Sequence, residues 1–314
     1  TTLFFSSTTI SNGRTIISYS SLNTFGTQLS LTISPVLDTG KQYTIKIDSL
    51  MDCSGNTVEI SSEVYLANLP VAGAIILNEI LFDPFTGDED FVELYNNSGL
   101  YLNLKDWSLA NDNEGIPDNI KTIEANYIIK PNDYVVITKN YSLVSSRYKT
   151  HSPTKFIELE ILPTYSNEDG TAYILTPSFT VSDQFYYEGD YHFALLRSTD
   201  GVSLERFDFD RETNEKSNWH SAATEVGYAT PGVRNSQFNP AILTQETIEV
   251  SPKLFSPDND GFEDILTLSY SLEESGFVGN VTIYDAKGRL IKTLIQNQLL
   301  AKTGAFTWDG TNNN

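Results

Sequence analysis

Residues 74–109 read AIILNEILFDPFTGDEDFVELYNNSGLYLNLKDWSL, and their pattern is the strongest predictor of architecture in the chain. Two apolar runs, Ile75–Leu81 and Phe91–Leu94, flank an acidic turn at 87–90, and each run carries one glutamate, Glu79 or Glu93. Short apolar runs that are separated by turn residues predict neighbouring β-strands. The stretch then supplies large apolar side chains for a core, at Tyr101, Leu102, Leu104 and Trp107.

Composition restricts what the chain can bind. Its 314 residues include 41 acidic and 20 basic side chains, so the formal net charge is −21. That charge repels phosphate backbones and anionic lipid surfaces, which excludes nucleic acid as a partner and suits divalent cations. The single cysteine, Cys53, excludes an internal disulfide framework and a cysteine-based zinc site. No apolar run reaches the roughly 18 residues that span a bilayer, so we expect no direct membrane insertion.

The length of the chain predicts two or three domains. Five short sequence motifs mark the central domain. In chain order they are N-E-I (78–80), F-V-E-L-Y-N (91–96), L-x-x-W-x-L (104–109), Trp219 and A-T-P-G-V-R-N (229–235). These blocks resemble the lamin tail domain, an immunoglobulin-like (Ig-like) β-sandwich. The resemblance implies that residues 73–240 form one such domain, with an insertion around 140–192. The sequence itself predicts a short helix at 141–148.

Residues 1–72 alternate apolar and polar side chains at a period of two. The segments QLSLTIS (28–34) and QYTIKID (42–48) each put one face inward, and the turn between them contains Pro35 and Gly40. With the D-x-x-G-N turn at 52–56, this part resembles the last strands of bacterial Ig-like repeats. The resemblance implies a partial Ig-like domain; an unrelated β-hairpin is the alternative. Residues 71–73 are the predicted joint to the next domain.

Residues 241–314 carry three further motifs in order: S-P-D-N-D-G-F-E-D (256–264), V-T-I-Y-D-A-K-G-R (281–289) and F-T-W-D-G (306–310). Together they resemble the FlgD-type Ig-like domain of Bacteroidota. Members of that family continue with a Gly-x-Tyr strand that this sequence lacks, so we expect a domain truncated at its C-terminus. An unfilled strand position would expose edges that can pair with another chain. The expected fold class is therefore all-β: tandem Ig-like β-sandwiches with a central lamin-tail domain.

The acidic loop at 258–264 is the sharpest candidate site. Asp258, Asp260 and Asp264 occur at i, i+2 and i+6, and Gly261 permits a tight reversal. Calcium prefers six to eight oxygen ligands, and the Asn259 side chain and the Phe262 carbonyl would add to the set. We therefore predict a structural Ca²⁺ site. The alternative is a solvated acidic turn in which Asp258 caps backbone amides.

A second acidic group surrounds the central turn and comprises Glu79, Asp83, Asp88, Glu89, Asp90 and Glu93. Two carboxylates on neighbouring strands could act as a glycosidase-like acid and base, or bind a cation. The lamin-tail resemblance instead implies that Glu79 and Glu93 belong to a non-enzymatic fold.

Other catalytic arrangements are not indicated by the sequence. His220 and Ser221 are adjacent, so on a strand they point to opposite faces and cannot form a dyad with each other. No nucleophile elbow, zinc helix or phosphate-binding loop occurs, and we predict that the chain is not an enzyme. His151, His192 and Cys53 are expected to be structural or simply exposed.

The aromatic segment 179–193 is interpreted as a core stripe, with a glycan-binding or protein-binding face as the alternative. Three acidic sandwiches without catalytic motifs resemble exported Bacteroidota envelope proteins. That resemblance implies a scaffold in the periplasm, outer membrane or cell surface of a Gram-negative bacterium, with other envelope proteins, and also glycans, as partners. An accessory role in an outer-membrane export (type 9 secretion) or surface complex is one reading. The alternative is that these modules are spacers or carbohydrate-binding parts of a secreted hydrolase or adhesin.

Overall fold

A computed structural model describes eight stretches of the chain: residues 7–21, 29–51, 55–150, 152–194, 196–238, 247–258, 264–272 and 276–312. The predicted fold class is confirmed, since the chain is all-β and consists of tandem Ig-like sandwiches. Contacts divide it into two compact units. The first unit comprises residues 1–70, 98–105 and 126–131, and the second comprises 71–97, 106–125 and 132–314.

The described residues of the first unit form three sheets, ordered β1-β4-β5, β2-β3 and β8-β11. Its strands are β1 (Ser7–Ile10), β2 (Thr15–Ser21), β3 (Leu29–Ser34), β4 (Gln42–Met51), β5 (Thr57–Tyr65), β8 (Leu102–Asn103) and β11 (Ile128–Ile129). The period of two in 42–48 puts the Tyr43 ring into the core, where it is 1% exposed. Its hydroxyl accepts a hydrogen bond from the Asp38 amide at 3.0 Å.

Two segments that the sequence places inside the central domain group with the first unit instead. Tyr101 stacks on Tyr65 with ring centroids 4.9 Å apart. The Tyr101 amide donates to the Asn68 side chain at 3.0 Å, and Asn68 also forms a bridge to Leu102. Aromatic stacking and backbone pairing therefore bind residues 98–105 to the strand that ends at Tyr65.

Where the structure describes it, the second unit contains a four-stranded sheet, a six-stranded sheet and two smaller sheets. The four-stranded sheet is ordered β10-β9-β14-β15, from β9 (Ser108–Asn113), β10 (Ile116–Thr122), β14 (Asp169–Leu175) and β15 (Val181–Glu188). The six-stranded sheet is ordered β13-β12-β7-β6-β16-β17, from β6 (Ile75–Leu81), β7 (Phe91–Asn96), β12 (Tyr134–Thr138), β13 (Phe156–Glu158), β16 (Leu204–Arg206) and β17 (Trp219–Ser221).

The predicted strand pair β6 and β7 lies at the centre of the six-stranded sheet and is antiparallel. Every residue of both strands is buried. One sheet face packs on the four-stranded sheet, where Trp219 stacks on Phe185 at 3.7 Å. The opposite face is covered as well, which explains why both strands read as nearly continuous apolar runs.

Helix α1 (Tyr141–Arg147) covers part of that opposite face, and it confirms the predicted short helix. Asn140 caps its N-terminus by accepting a hydrogen bond from the Leu143 amide at 3.3 Å. Val144 and Tyr148 then pack against Phe91 in one cluster. Among the described residues, no helix is both long and apolar enough to cross a bilayer.

The described parts of residues 247–312, in the second unit, form two sheets, ordered β18-β19-β22 and β20-β21. Their strands are β18 (Thr247–Ser251), β19 (Leu266–Ser271), β20 (Val278–Tyr284), β21 (Leu290–Leu299) and β22 (Thr303–Trp308). A small core forms around Tyr270, Ile295 and Leu300. Strand β18 is an edge strand, and its Ile248 side chain is 71% exposed.

Candidate functional site

Three glutamates form a row across neighbouring strands of the six-stranded sheet. Glu93 on β7 pairs in register with Glu79 on β6, and Glu79 pairs with Glu205 on β16. All three side chains are completely buried. We call them the glutamate row. Like charges directly opposite each other on a sheet are destabilising, so this row requires compensation.

Residues 229–237, which we call the closing segment, supply that compensation by crossing the sheet over the row. The Thr230 amide donates to Glu79 at 2.8 Å, the Gly232 amide donates to Glu93 at 2.5 Å, and the Gln237 amide donates to Glu205 at 2.8 Å. The segment forms no strand of its own. The carboxylates therefore satisfy backbone groups that would otherwise be buried without partners.

A pair of asparagines reinforces the same contact. Asn78 occupies a register shift between Leu77 and Glu79, and its side-chain amide donates to Glu93 at 2.6 Å and to the Asn235 side chain at 2.8 Å. Asn235 in turn donates to the backbone carbonyls of Asn78 at 3.0 Å and Arg206 at 2.9 Å. The N-E-I and A-T-P-G-V-R-N motifs are thus halves of one hydrogen-bonded unit.

The electrostatics of the row follow from its burial. Burial, together with the neighbouring Glu205 carboxyl, raises the pKa of Glu79 to about 8. Burial and the neighbouring Glu79 raise the pKa of Glu93 well above its usual value, and burial also raises the pKa of Glu205. A buried carboxyl without a cation retains its proton more easily than a solvated one. Glu79 therefore retains its proton near neutral pH.

This geometry does not suit the glycosidase-like alternative. Glu79 and Glu93 are 0% exposed, and the closing segment occupies the space above them. A general acid must lie within hydrogen-bond reach of a bound substrate, and the burial of both carboxyls beneath the closing segment prevents such an approach. The glutamate row instead anchors the closing segment to the sheet through hydrogen bonds.

Glu205 was missed by sequence reasoning. Its signal is a single glutamate within the apolar run V-S-L-E-R-F at 202–207. Glu79 and Glu93 show the same pattern in their own runs. This shared pattern could have marked Glu205 as a buried acidic residue, but not its pairing with Glu79.

The acidic turn at 87–90 is separate from the glutamate row and forms ion pairs with basic side chains. Asp88 forms an ion pair with Arg147 of α1 at 2.7 Å, and Glu89 forms one with Lys139 at 2.6 Å. Burial raises the pKa of Asp90 to about 7. The predicted group therefore splits into a buried pair within the row and a loop that is tied to the helix.

Ser221 contacts His192 and not its sequence neighbour His220. Ser221 lies 3.0 Å from Nδ1 of His192, whereas His220 packs edge-on against Phe207. His192 is 6% exposed and burial lowers its pKa to about 4, so the pair is buried in the core. His151 and Cys53 lie outside the described residues.

Most of the predicted calcium loop also lies outside the described residues, namely Asn259, Asp260 and Phe262. Asp258 is exposed, and its amide donates to the Ser256 carbonyl at 2.8 Å. Asp264 is half-buried. Within the described stretches, no group of three acidic, histidine or cysteine side chains is arranged to hold a metal ion. The Ca²⁺ site stays a prediction.

The aromatic segment contributes to the core at alternate positions. Phe185 and Tyr187 are completely buried, and Tyr187 stacks on Phe82 at 4.3 Å. Phe179 and Tyr186 are 61% and 40% exposed. The interpretation as a core stripe holds for the inward positions of β15.

Comparisons with known proteins give three findings. No curated protein matches the chain. A solved structure of a DUF4876 family protein from Bacteroides thetaiotaomicron is similar, with 13% identity and a TM-score of 0.33, and the match covers 64% of this chain and 88% of that one. The family model of the lamin tail domain matches residues 69–189, which include the β6–β7 pair with Glu79 and Glu93.

Proposed function

We propose that this chain is a non-enzymatic interaction or scaffold protein of the bacterial cell envelope. In this role it is exported and serves as an accessory subunit of an outer-membrane export (type 9 secretion) or surface complex. One observation carries the proposal: the carboxyls best suited to catalysis are fully buried and are used to anchor the closing segment. Function then rests on the surfaces that the sandwiches display, as is usual for rigid β-sandwich domains.

Charge supports a protein partner. A net charge of −21 favours association with basic surfaces and disfavours nucleic acid and anionic lipid. Rigid sandwiches also lose little conformational entropy when they bind, so they can space binding surfaces at a small energetic cost.

The test is a gentle affinity purification of the full-length protein from its native envelope, with an untagged strain as the control. A stoichiometric envelope protein, recovered repeatedly and lost at high salt, is the expected result. Hydrolysis of a polysaccharide or peptide substrate by the isolated chain, abolished by Glu93→Gln, would overturn the non-enzymatic role. Recovery of the protein without any partner would overturn the scaffold role.

A further inference from the structure

A narrow cleft opens between the edges of the two main sheets of the second unit. One wall is the end of β10 and the turn after it, and the other wall is the chain that follows β13. The cleft has a volume of about 370 Å³ and is lined by residues 120–122, 124–125 and 158–161. Sites that bind ligands usually enclose roughly 300–1,000 Å³, so the cleft can receive a few side chains but not a folded domain.

Each wall of the cleft lies beside the outermost described strand of a sheet. Strand β10 is the last strand of the four-stranded sheet, and β13 is the last strand of the six-stranded sheet. An open edge presents backbone N–H and C=O groups that an extended peptide can pair with. The proline at 117 and a bulge between Asp118 and Lys121, which includes Ile120, interrupt the β10 edge. Pairing is therefore confined to the end of β10 beyond the bulge, at residues 121–122, which line the cleft.

Two isoleucines mark the mouth of this cleft. Ile120 is 41% exposed and Ile161 is 58% exposed, on opposite walls. Large aliphatic side chains in such a position gain free energy when a partner removes them from water, at about 25 cal/mol per Å² of buried apolar area. They suit an apolar side chain inserted between the walls.

The charged residues around the isoleucines are mainly acidic. Glu124, Glu158 and Glu160 line the cleft, against a single cation, Lys121. Among the described residues, neither Glu124 nor Glu160 has an ion-pair partner. The carboxylates do not converge as metal ligands do within the described stretches. Dispersed carboxylates match separate ammonium or guanidinium groups along a chain. A second copy of this protein would bring the same acidic lining and be repelled.

We propose that this cleft binds an extended segment of a partner protein in which an apolar residue is flanked by lysine or arginine. The segment adds its backbone to the open edge, its apolar side chain lies between Ile120 and Ile161, and its cations lie against Glu124 and Glu160. This inference deepens the proposed scaffold role, on which it rests, by assigning a docking position and the chemistry of the partner.

The test measures binding of a fluorescently labelled peptide that alternates lysine and valine, by anisotropy, to the full chain. Two further peptides serve as probes: one with glutamate in place of lysine, and one that is N-methylated on alternate residues. The protein variants are Glu124→Lys/Glu160→Lys and, as a control with the same change in net charge, Glu114→Lys/Glu249→Lys on exposed positions elsewhere.

We expect the cleft variant to weaken binding of the lysine peptide at least roughly tenfold, and the control variant to change it less than about threefold. The N-methylated peptide is expected to bind more weakly than its parent, because it lacks donors for the strand edge. Equal losses in both variants would show general charge attraction and overturn the proposal, as would absence of binding to the wild-type chain. If a partner still co-purifies from the envelope in that case, the scaffold role stands and this cleft is not its site.

Discussion

Glu79 and Glu205 are direct cross-strand neighbours, and one hydroxyl lies between them. The Thr230 hydroxyl is 2.6 Å from a carboxyl oxygen of Glu205 and 3.3 Å from one of Glu79. A hydroxyl has one hydrogen, so it can donate to only one of the two. The shorter distance assigns that hydrogen to Glu205. The contact with Glu79 is then satisfied when Glu79 is protonated and donates to the hydroxyl oxygen, in agreement with its raised pKa.

This proton count predicts opposite outcomes for two conservative substitutions. In Glu79→Gln, the new NH₂ donates to the Thr230 hydroxyl while the remaining oxygen still accepts from Ser203 and the Thr230 amide. We expect stability to change by less than about 1 kcal/mol. In Glu93→Gln, both carboxyl oxygens currently accept from N–H groups, of Asn78 and Gly232, so the NH₂ must oppose a donor. We expect a loss of about 1–3 kcal/mol.

Urea unfolding of the full chain, followed by tryptophan fluorescence, measures both changes. Glu79→Ala serves as a reference, since it removes the hydrogen bonds and leaves a cavity, and should be strongly destabilised. Equal effects of the two glutamine substitutions would contradict the assignment of the shared proton.

Stability should also fall as the pH rises from about 6.5 to 8. Burial raises the folded-state pKa of Glu79 from 4.5 to about 8 and that of Asp90 from 3.8 to about 7. A group with a raised pKa binds more protons in the folded state, so its contribution is complete below the unfolded pKa and is lost as the pH approaches the folded pKa. Each such group changes the free energy of unfolding by up to about 1.4 kcal/mol per pH unit.

His192 produces the opposite pH dependence of stability at lower pH, so the fall in stability with rising pH is best measured above pH 6.5. Burial lowers its pKa from 6.5 to about 4, so its contribution is present above pH 6.5 and is lost as the pH falls toward 4. Between these values the two effects oppose each other. Above pH 6.5 only the carboxyl effect remains, and Glu79→Gln should make the decline shallower. An unchanged slope in that variant would assign the pH dependence to other groups.

Local pattern predicted the elements of the central sheet but not how distant strands meet. The runs at 75–81 and 91–94 and the segment 141–148 are strands and a helix because their side-chain periodicity and capping residue are local signals. The pairing of Glu79 with Glu205 joins strands that are far apart in sequence, and it depends on topology that one sequence does not encode locally. The grouping of 98–105 with the first unit escaped prediction for the same reason, because it depends on stacking between Tyr65 and Tyr101.

Asn235 should tolerate substitution poorly although it lies in a segment without secondary structure. Its amide nitrogen donates to Asn78 and to the Arg206 carbonyl, all within the buried interior. Asn235→Asp replaces a donor by an acceptor next to these carbonyl oxygens. We expect a loss of about 3 kcal/mol or more. Asn214→Asp is the control variant, because the exposed Asn214 side-chain oxygen accepts a hydrogen bond from the Tyr186 amide and an aspartate oxygen can do the same. We expect little change in stability for this variant. Equal losses in the two variants would contradict the role of the Asn235 donors.

The predicted calcium site at 258–264 can be tested by the effect of Ca²⁺ on thermal stability. Millimolar Ca²⁺ should raise the Tm of the transition that involves residues 247–314 by a few degrees, because a ligand that binds only the folded state stabilises it. Asp260→Ala should abolish the gain, whereas Asp118→Ala, on the exposed part of β10, should preserve it. Differential scanning calorimetry of the full chain with and without chelator measures the shift. A Tm that does not respond to Ca²⁺ would leave the solvated acidic turn as the correct interpretation.

Alanine substitutions at two glycines with similar φ angles distinguish the cost of backbone strain from the cost of a packing clash. Gly201 and Gly115 have φ of +72° and +82°, and for any L-residue this region costs about 1–2 kcal/mol. A Cβ at Gly115 would meet open space, but a Cβ at Gly201 would overlap the Phe85 ring, which the Arg147 guanidinium covers at 4.8 Å. Gly201→Ala should therefore lose about 1–3 kcal/mol more than Gly115→Ala, because Phe85 must move and break its contact with the helix. Gly201→Ala/Phe85→Leu, which provides space for the methyl group, should recover part of the loss. If Gly201→Ala and Gly115→Ala are equally destabilised in urea, Phe85 does not pack against Gly201 in solution.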